Sequence, residues 1–242
     1  MKITILTLFP NVLEPYFSSS IMRRAIEKGI IEYKLVNFRD FATGSYNKVD
    51  DIPYGGGAGM LLMSEPLDKA LESVGAKEKK VIVTSAKGRL YSQDDAKRLA
   101  KEDELVIVAG HYEGIDERII KLYSAEEYSI GDYVLTGGEA ASIVIIDSVF
   151  RLIDDVIRKE SLEEESYESN LLEYPQYTRP ETYCSLSVPD VLLSGHHRHI
   201  AEWRDDKRLE NTMLNRPDLL RDASLSIEMR RKLIKLIGKQ KD

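Results

Sequence analysis

The first 150 residues alternate between short runs that are apolar throughout and stretches whose apolar positions recur at helical spacing. Residues 2–9, 80–84 (Lys-Val-Ile-Val-Thr) and 105–109 (Leu-Val-Ile-Val-Ala) read as buried strands, and 33–37 as an alternating one. Helices are predicted over 19–28, closed by Gly29, and from an N-cap at Ser64 past Pro66 to about Val74. Further helices are predicted over 92–101, 116–121 and 139–150. Short extended pieces are expected at 127–130 and 133–136, and the segment 38–60 reads as one long, turn-rich loop. Continuous apolar strands alternating with helices predict an α/β fold, a mostly parallel sheet with helices on both faces.

A charged break interrupts this pattern. Residues 158–170 hold five glutamates and almost nothing that builds a core, which predicts a flexible linker. Beyond it the periodicity turns helical, at 197–208, at 212–214 and 217–220 as short elements, and at 227–237. The expected division is an α/β domain over 1–157, a linker over 158–170 and a small all-helical domain over 171–242.

Composition changes this picture little. No apolar run approaches the roughly 20 residues that span a bilayer, so no membrane partner is expected. The apolar start runs into Pro10-Asn11, which reads as a turn, and lacks a signal-peptide cleavage site. A single cysteine, Cys184, excludes an intrachain disulfide and fits a reducing cytoplasm. The net charge is −7, split as −9 over residues 1–170 and +2 over 171–242. The C-terminal part is the more basic, but not basic enough to bind RNA on charge alone.

The glycines carry more. Gly55, Gly56, Gly57 and Gly59 crowd the stretch from Pro53 to Met60, which matches neither a P-loop nor a dinucleotide fingerprint. Three further glycine-bearing loops follow strand ends: Ser85-Ala-Lys-Gly-Arg89, Ala109-Gly-His-Tyr-Glu-Gly-Ile-Asp-Glu-Arg118 and Ile130-Gly-Asp-Tyr-Val-Leu-Thr-Gly-Gly-Glu139. Ligands of open α/β sheets sit beyond the carboxyl ends of strands, where such loops can present backbone N–H and C=O groups to a polar heterocycle. Any one of them is equally an ordinary turn. Glu163-Glu164-Glu165 reads either as a solvated hinge or as a source of a general base. Arg151 ends an apolar helix, where a snorkelling or paired arginine is the commoner reading. His196, His197 and His199 crowd a helix start, and Trp203 reads as core. One cysteine and four histidines make a structural zinc site a poor reading.

Five motifs together resemble the bacterial tRNA (guanine-N1)-methyltransferases, a family of the trefoil-knotted SPOUT superfamily. They are Pro53–Met60, Gly110–Arg118, Ser129–Glu139, Tyr174–Pro180 and Leu192–His196. The resemblance implies methyl transfer from S-adenosylmethionine to N1 of the guanosine 3′ to the tRNA anticodon. It also implies a C-terminal knot in the catalytic domain, a homodimer with the site between subunits, and support by Mg2+ with no assigned protein ligand. Carried over by motif, Ser85, Gly88, Leu90, Gly110, Tyr112, Glu113, Gly114, Ile130, Gly131, Asp132, Tyr133, Val134, Leu135, Gly137 and Gly138 would bind the cofactor. Tyr54, Gly55, Gly56, Gly57, Gly59 and Met60 would receive the guanine, and His196 and the Arg179-Pro180 region would serve the tRNA. Arg151 matches a functional arginine. The catalytic base falls at Glu165, where the family usually has aspartate, with Glu163 and Glu164 as rivals. The longer side chain moves that carboxylate by about 1 Å, a displacement that matters in catalysis.

Overall fold

The computed structural model describes residues 1–43, 46–158 and 165–239. The chain divides into two compact units, Met1–Arg158 and Lys159–Asp242.

The first unit follows the order β1 (Lys2–Thr7), α1 (Pro10–Phe17), α2 (Ser20–Glu27), β2 (Glu32–Asn37), β3 (Asp50–Asp51), β4 (Leu61–Leu62), α3 (Ser64–Ser73), β5 (Lys80–Leu90), α4 (Gln93–Leu99), β6 (Glu104–Ala109), α5 (Glu117–Leu122), β7 (Glu126–Ser129) and α6 (Glu139–Phe150). Five strands form one sheet in the order β2-β1-β6-β5-β7. Every pairing in it is parallel, with Ile3 beside both Tyr33 and Leu105, and Ile82 beside Ile107.

The strands are apolar on both faces because both faces are covered. Ile3, Ile5, Ile82, Leu105 and Ile107 pack with α1, α2, α4 and α6 through Leu13, Phe17, Met22, Leu99 and Ile145. Leu6, Val81, Val83, Val106 and Val108 pack on the opposite side with α3 and α5 through Leu67, Leu71 and Ile119. Helix α6 is buried along much of its length, including Glu139, Ser142 and Ile145, as a helix apolar on most sides must be. Helix α4 starts at a capping box in which Ser92 and Asp95 satisfy each other's backbone N–H groups.

Three expectations are corrected here. Pro10 does not end the opening strand as a turn; it stands at the first turn of α1, where its missing N–H costs nothing and its fixed φ suits the helix. Strand β5 does not stop at Thr84 but runs to Leu90 through a register shift between Thr84 and Arg89. Residues 133–136 are not extended pairing partners; they are bends and irregular chain.

The second unit contains β8 (Thr182–Tyr183), β9 (Leu186–Ser187), α7 (Asp190–Leu193), α8 (His197–Asn215) and α9 (Ile227–Lys239). It is therefore not all-helical as expected. The β8–β9 hairpin turns through Cys184 and Ser185 at φ 49° and 65°, a left-handed pair that usually needs Asn-Gly and here carries no such signal. Helix α8 continues through 212–214, absorbing a predicted separate element. Leu171, Leu209 and Met229 form the small buried core of this unit. Among the described residues no helix is long and apolar enough to cross a membrane.

Candidate functional site

At the carboxyl ends of β5, β6 and β7 lies a cavity of about 530 Å³. Its walls come from three segments, Thr84–Lys87, Gly110–Ile115 and Ser129–Gly138, with Leu61 and Ala141 at the margins. Thr84 ties the segments together. Its hydroxyl accepts from the Gly110 N–H at 3.2 Å and faces the carbonyls of Val108 and Gly138, each at 3.4 Å. Gly138 in turn donates to the Gly110 carbonyl at 2.7 Å.

The glycines at this crossing are steric necessities. A Cβ on Gly138 would fall 2.5 Å from the Gly110 nitrogen and 2.9 Å from the Ala109 carbonyl carbon, besides striking the Thr84 hydroxyl. One on Gly137 would fall 2.6 Å from Glu139 Oε2 and 2.9 Å from His111 Nδ1. One on Gly110 would fall 2.8 Å from the Thr84 carbonyl. Beneath them the buried Glu139 carboxylate accepts a hydrogen bond from Thr7 Oγ1 at 2.6 Å. His111 Nδ1 is buried without a hydrogen-bond partner among the described residues, and its ring packs edge-on against Phe9 and Tyr112. The walls thus offer backbone, small residues and few side-chain polar groups, which suits a flat, polar ligand held by main-chain atoms.

Of the residues expected to bind the cofactor, Ser85, Gly110, Tyr112, Glu113, Gly114, Ile130, Tyr133, Val134, Leu135, Gly137 and Gly138 line this cavity. Gly88, Leu90, Gly131 and Asp132 do not. Gly88 is pressed against the next strand, where a Cβ would meet the Glu127 and Tyr128 backbone at 2.6 Å. Leu90 pairs with Ser129 and is exposed. Gly131 lies beneath the Tyr133 ring. Thr84, Glu127 and Tyr128 line the cavity without having been foreseen.

The loop expected to take the guanine borders this site. The Met60 carbonyl accepts from Glu113 N–H at 2.9 Å, and a Cβ on Gly59 would run into the Glu113 side chain. Gly55, Gly56 and Gly57 stand in open space at φ 89°, 79° and 128°, and Tyr54 beside them is fully exposed. Positive φ at consecutive residues is the condition only glycine meets without strain. Arg151 directly follows α6 and does not line the cavity.

In the second unit His196 precedes α8, its ring stacked on His199 at 4.7 Å. The Arg179-Pro180 peptide is cis. Glu163 and Glu164 lie outside the described residues. Glu165 is half-buried at the start of a tied turn, in which Tyr167 N–H donates to the Leu171 carbonyl and Ser166 and Glu173 bond each other's N–H groups. Trp203, expected in the core, is only partly buried and meets Tyr174 and Tyr177. Among the described residues no group of three or more His, Cys, Asp or Glu side chains is placed to hold a metal ion. No cluster among the described residues therefore fits a protein-held Mg2+.

The model of the family described as tRNA (Guanine-1)-methyltransferase TrmD matches residues 1–222. The chain belongs to this family. It is 55% identical over 223 residues to the tRNA (guanine-N(1)-)-methyltransferase of Treponema denticola, covering 92% of each chain. It is 54% identical over 226 residues to the protein of the same description from Treponema pallidum, covering 93% of this chain and 90% of that one. Its identity to the Borrelia duttonii protein, again of that description, is 54% over 221 residues, or 90% of this chain and 92% of the relative.

Proposed function

We propose that the cavity above β5, β6 and β7 holds S-adenosylmethionine, and that the chain transfers its methyl group to N1 of the guanosine 3′ to the tRNA anticodon. Family membership carries the reaction. The convergence of three backbone-lined glycine segments on one 530 Å³ cavity carries its placement. The cofactor supplies an electrophilic methyl group on a sulfonium.

The chain's own residues supply alignment and proton removal. Guanine N1 becomes nucleophilic as its proton leaves, and Glu165 is assigned as the carboxylate base that takes it. The tied turn that follows Glu165 limits how far the carboxylate can wander, which supports the choice. Arg151 and the N–H groups of Gly55–Gly59 are assigned to the negative charge that then develops on O6. His196 and the Arg179-Pro180 region are assigned to tRNA.

A trefoil knot is part of this reading. It is supported by the return of the chain from β7 across the ends of β5 and β6, where Gly138 meets Gly110 and Thr84. A homodimer completes the site, a reading supported by Tyr133, Val134 and Leu135, which line the cavity yet remain exposed. Cytoplasmic action follows from the tRNA substrate.

The deciding experiment is methyl transfer by Glu165→Gln at saturating S-adenosylmethionine, with the methylated base mapped by primer extension. Turnover is expected to fall by about 10²-fold or more, with cofactor binding intact. Wild-type turnover in this variant would remove Glu165 from the role.

A further inference from the structure

The cofactor wall formed by Ser85, Ala86 and Lys87 is held in an unusual way. In the pairing of β5 with β7, Thr84 and Arg89 are both opposite the same residue, Tyr128. The four residues between them, Ser85–Gly88, therefore leave the ladder and return to it at a single point. A bulge of this size is not held by strand hydrogen bonds along its length, so its position depends on how its two ends are tied.

At that point a compact polar cluster closes the base. The Tyr128 hydroxyl accepts from Arg89 and, at 2.6 Å, from Arg98. It donates to Glu126 Oε2 at 2.8 Å, with Asp95 Oδ1 at 3.1 Å as the other acceptor. Arg89 grips both Asp95 oxygens, and its guanidinium lies 4.4 Å from the centre of the Tyr128 ring. Asp95 is fixed by the Ser92 hydroxyl and N–H, and Glu126 is paired with Lys80 and Arg98. Gly88 permits the closure, because its α-carbon rests on the Glu127–Tyr128 peptide. The Tyr128 ring is fully buried and packs edge-on against Tyr91 at 5.3 Å. The cluster thus joins β5, α4 and β7 directly below the bulge.

We propose that Tyr128, acting with Arg89 and Asp95, is a positioning residue for the cofactor: it clasps the base of the Ser85–Gly88 bulge and so fixes one wall of the cavity. This rests on the cavity being the cofactor site. The hydroxyl selects the binding-competent position of the bulge from the positions open to an unclasped loop. Apparent affinity falls by the fraction of chains in the competent position, whereas a saturated enzyme turns over normally. Loss of the clasp is therefore a defect in cofactor binding and not in the methyl-transfer step.

The test uses the full chain with S-adenosylmethionine as ligand in titration calorimetry and tRNA methylation as the kinetic readout. Tyr128→Phe keeps the ring and its packing and removes only the hydroxyl. Its Kd and KM for S-adenosylmethionine are expected to rise about tenfold, the scale of one lost charge-assisted hydrogen bond, with kcat within about twofold of wild type. Arg89→Ala is expected to give a similar rise, and the double variant no larger one, because both open the same clasp. A fall in kcat with unchanged KM, or additive effects of the two changes, would overturn the proposal in favour of general destabilisation. Ala86→Trp, which fills the cavity from the bulge itself, separates the underlying reading. If it leaves Kd unchanged, the cavity is not the cofactor site. If it abolishes binding while Tyr128→Phe binds as wild type, the cavity stands and the clasp fails.

Discussion

Replacing Gly138 by alanine tests the crossing on which the site is built. Gly138 has φ −84° and ψ −5°, a backbone any L-residue adopts, so the substitution brings no conformational strain of its own. What it brings is a methyl group 2.5 Å from the Gly110 nitrogen and 2.9 Å from the Ala109 carbonyl carbon. Carbon contacts are comfortable at roughly 3.5–4.0 Å, so one backbone must retreat from the other by about 1 Å. Both are backbone, and neither can rotate away. The same retreat stretches the 2.7 Å bond from Gly138 N–H to the Gly110 carbonyl to about 3.7 Å, past hydrogen-bonding range. Overpacking costs about 1–3 kcal/mol and the lost bond about 1 more. A total of about 2–4 kcal/mol corresponds to a fall in Tm of roughly 5–15 °C for a chain of this size. Because the moved segments are two cavity walls, S-adenosylmethionine affinity is expected to fall by about tenfold or more. Thermal unfolding and titration calorimetry measure the two effects. Gly238→Ala, where the added Cβ meets nothing within 4 Å, serves as the control and is expected to leave both unchanged. A Gly138→Ala protein with wild-type Tm and Kd would refute the close crossing.

Two further outcomes are expected. Thr7→Val is nearly isosteric but removes the donor to the buried Glu139 carboxylate and the acceptor of Phe9 N–H; it should cost about 2–3 kcal/mol in urea unfolding, and a loss below about 0.5 kcal/mol would count against that buried bond. Burial opposes the charge of Glu126, yet its bonds with Lys80, Tyr128 and Arg98 outweigh this and draw its pKa from 4.5 down to about 2. A carboxylate depressed on folding contributes stability that is present above its unfolded pKa and lost as pH falls through the folded one. After allowance for solvent screening, about 1–2 kcal/mol should disappear between about pH 4.5 and 2, and in Glu126→Gln the stability-against-pH curve should be flatter in that window.

The sheet was readable because parallel strands covered on both faces become uninterrupted apolar runs, as at 105–109, where every residue from Leu105 to Ala109 is buried. Helix α1 escaped because proline both ends strands and opens helices, and only the packing of Leu13 and Phe17 decides between them. The length of β5 escaped for a different reason. Ser85-Ala-Lys-Gly88 has loop composition and is indeed thrown out of the ladder, and what makes the flanking residues one strand is Tyr128, forty residues on. The glycine segments at the cavity announced themselves through composition. Thr84 did not, since its hydroxyl matters only where three distant segments meet. The hairpin at Cys184-Ser185 adopts a left-handed turn with residues that do not advertise one.

All the cavity-lining residues fall between Leu61 and Ala141, while β1 and β2 lie on the other side of the sheet and contribute none. A chain emerging from the ribosome can therefore pair β2, β1, β6 and β5 before any ligand site exists. The last wall arrives with Gly137 and Gly138, immediately ahead of α6, and α6 is also the helix that completes the core against α1 and α4. Closing the site and finishing the first unit are thus the same event in synthesis, and the second unit follows it. A cofactor that binds there acts only on chains whose first unit is complete, holding shut the segment that this unit adds last.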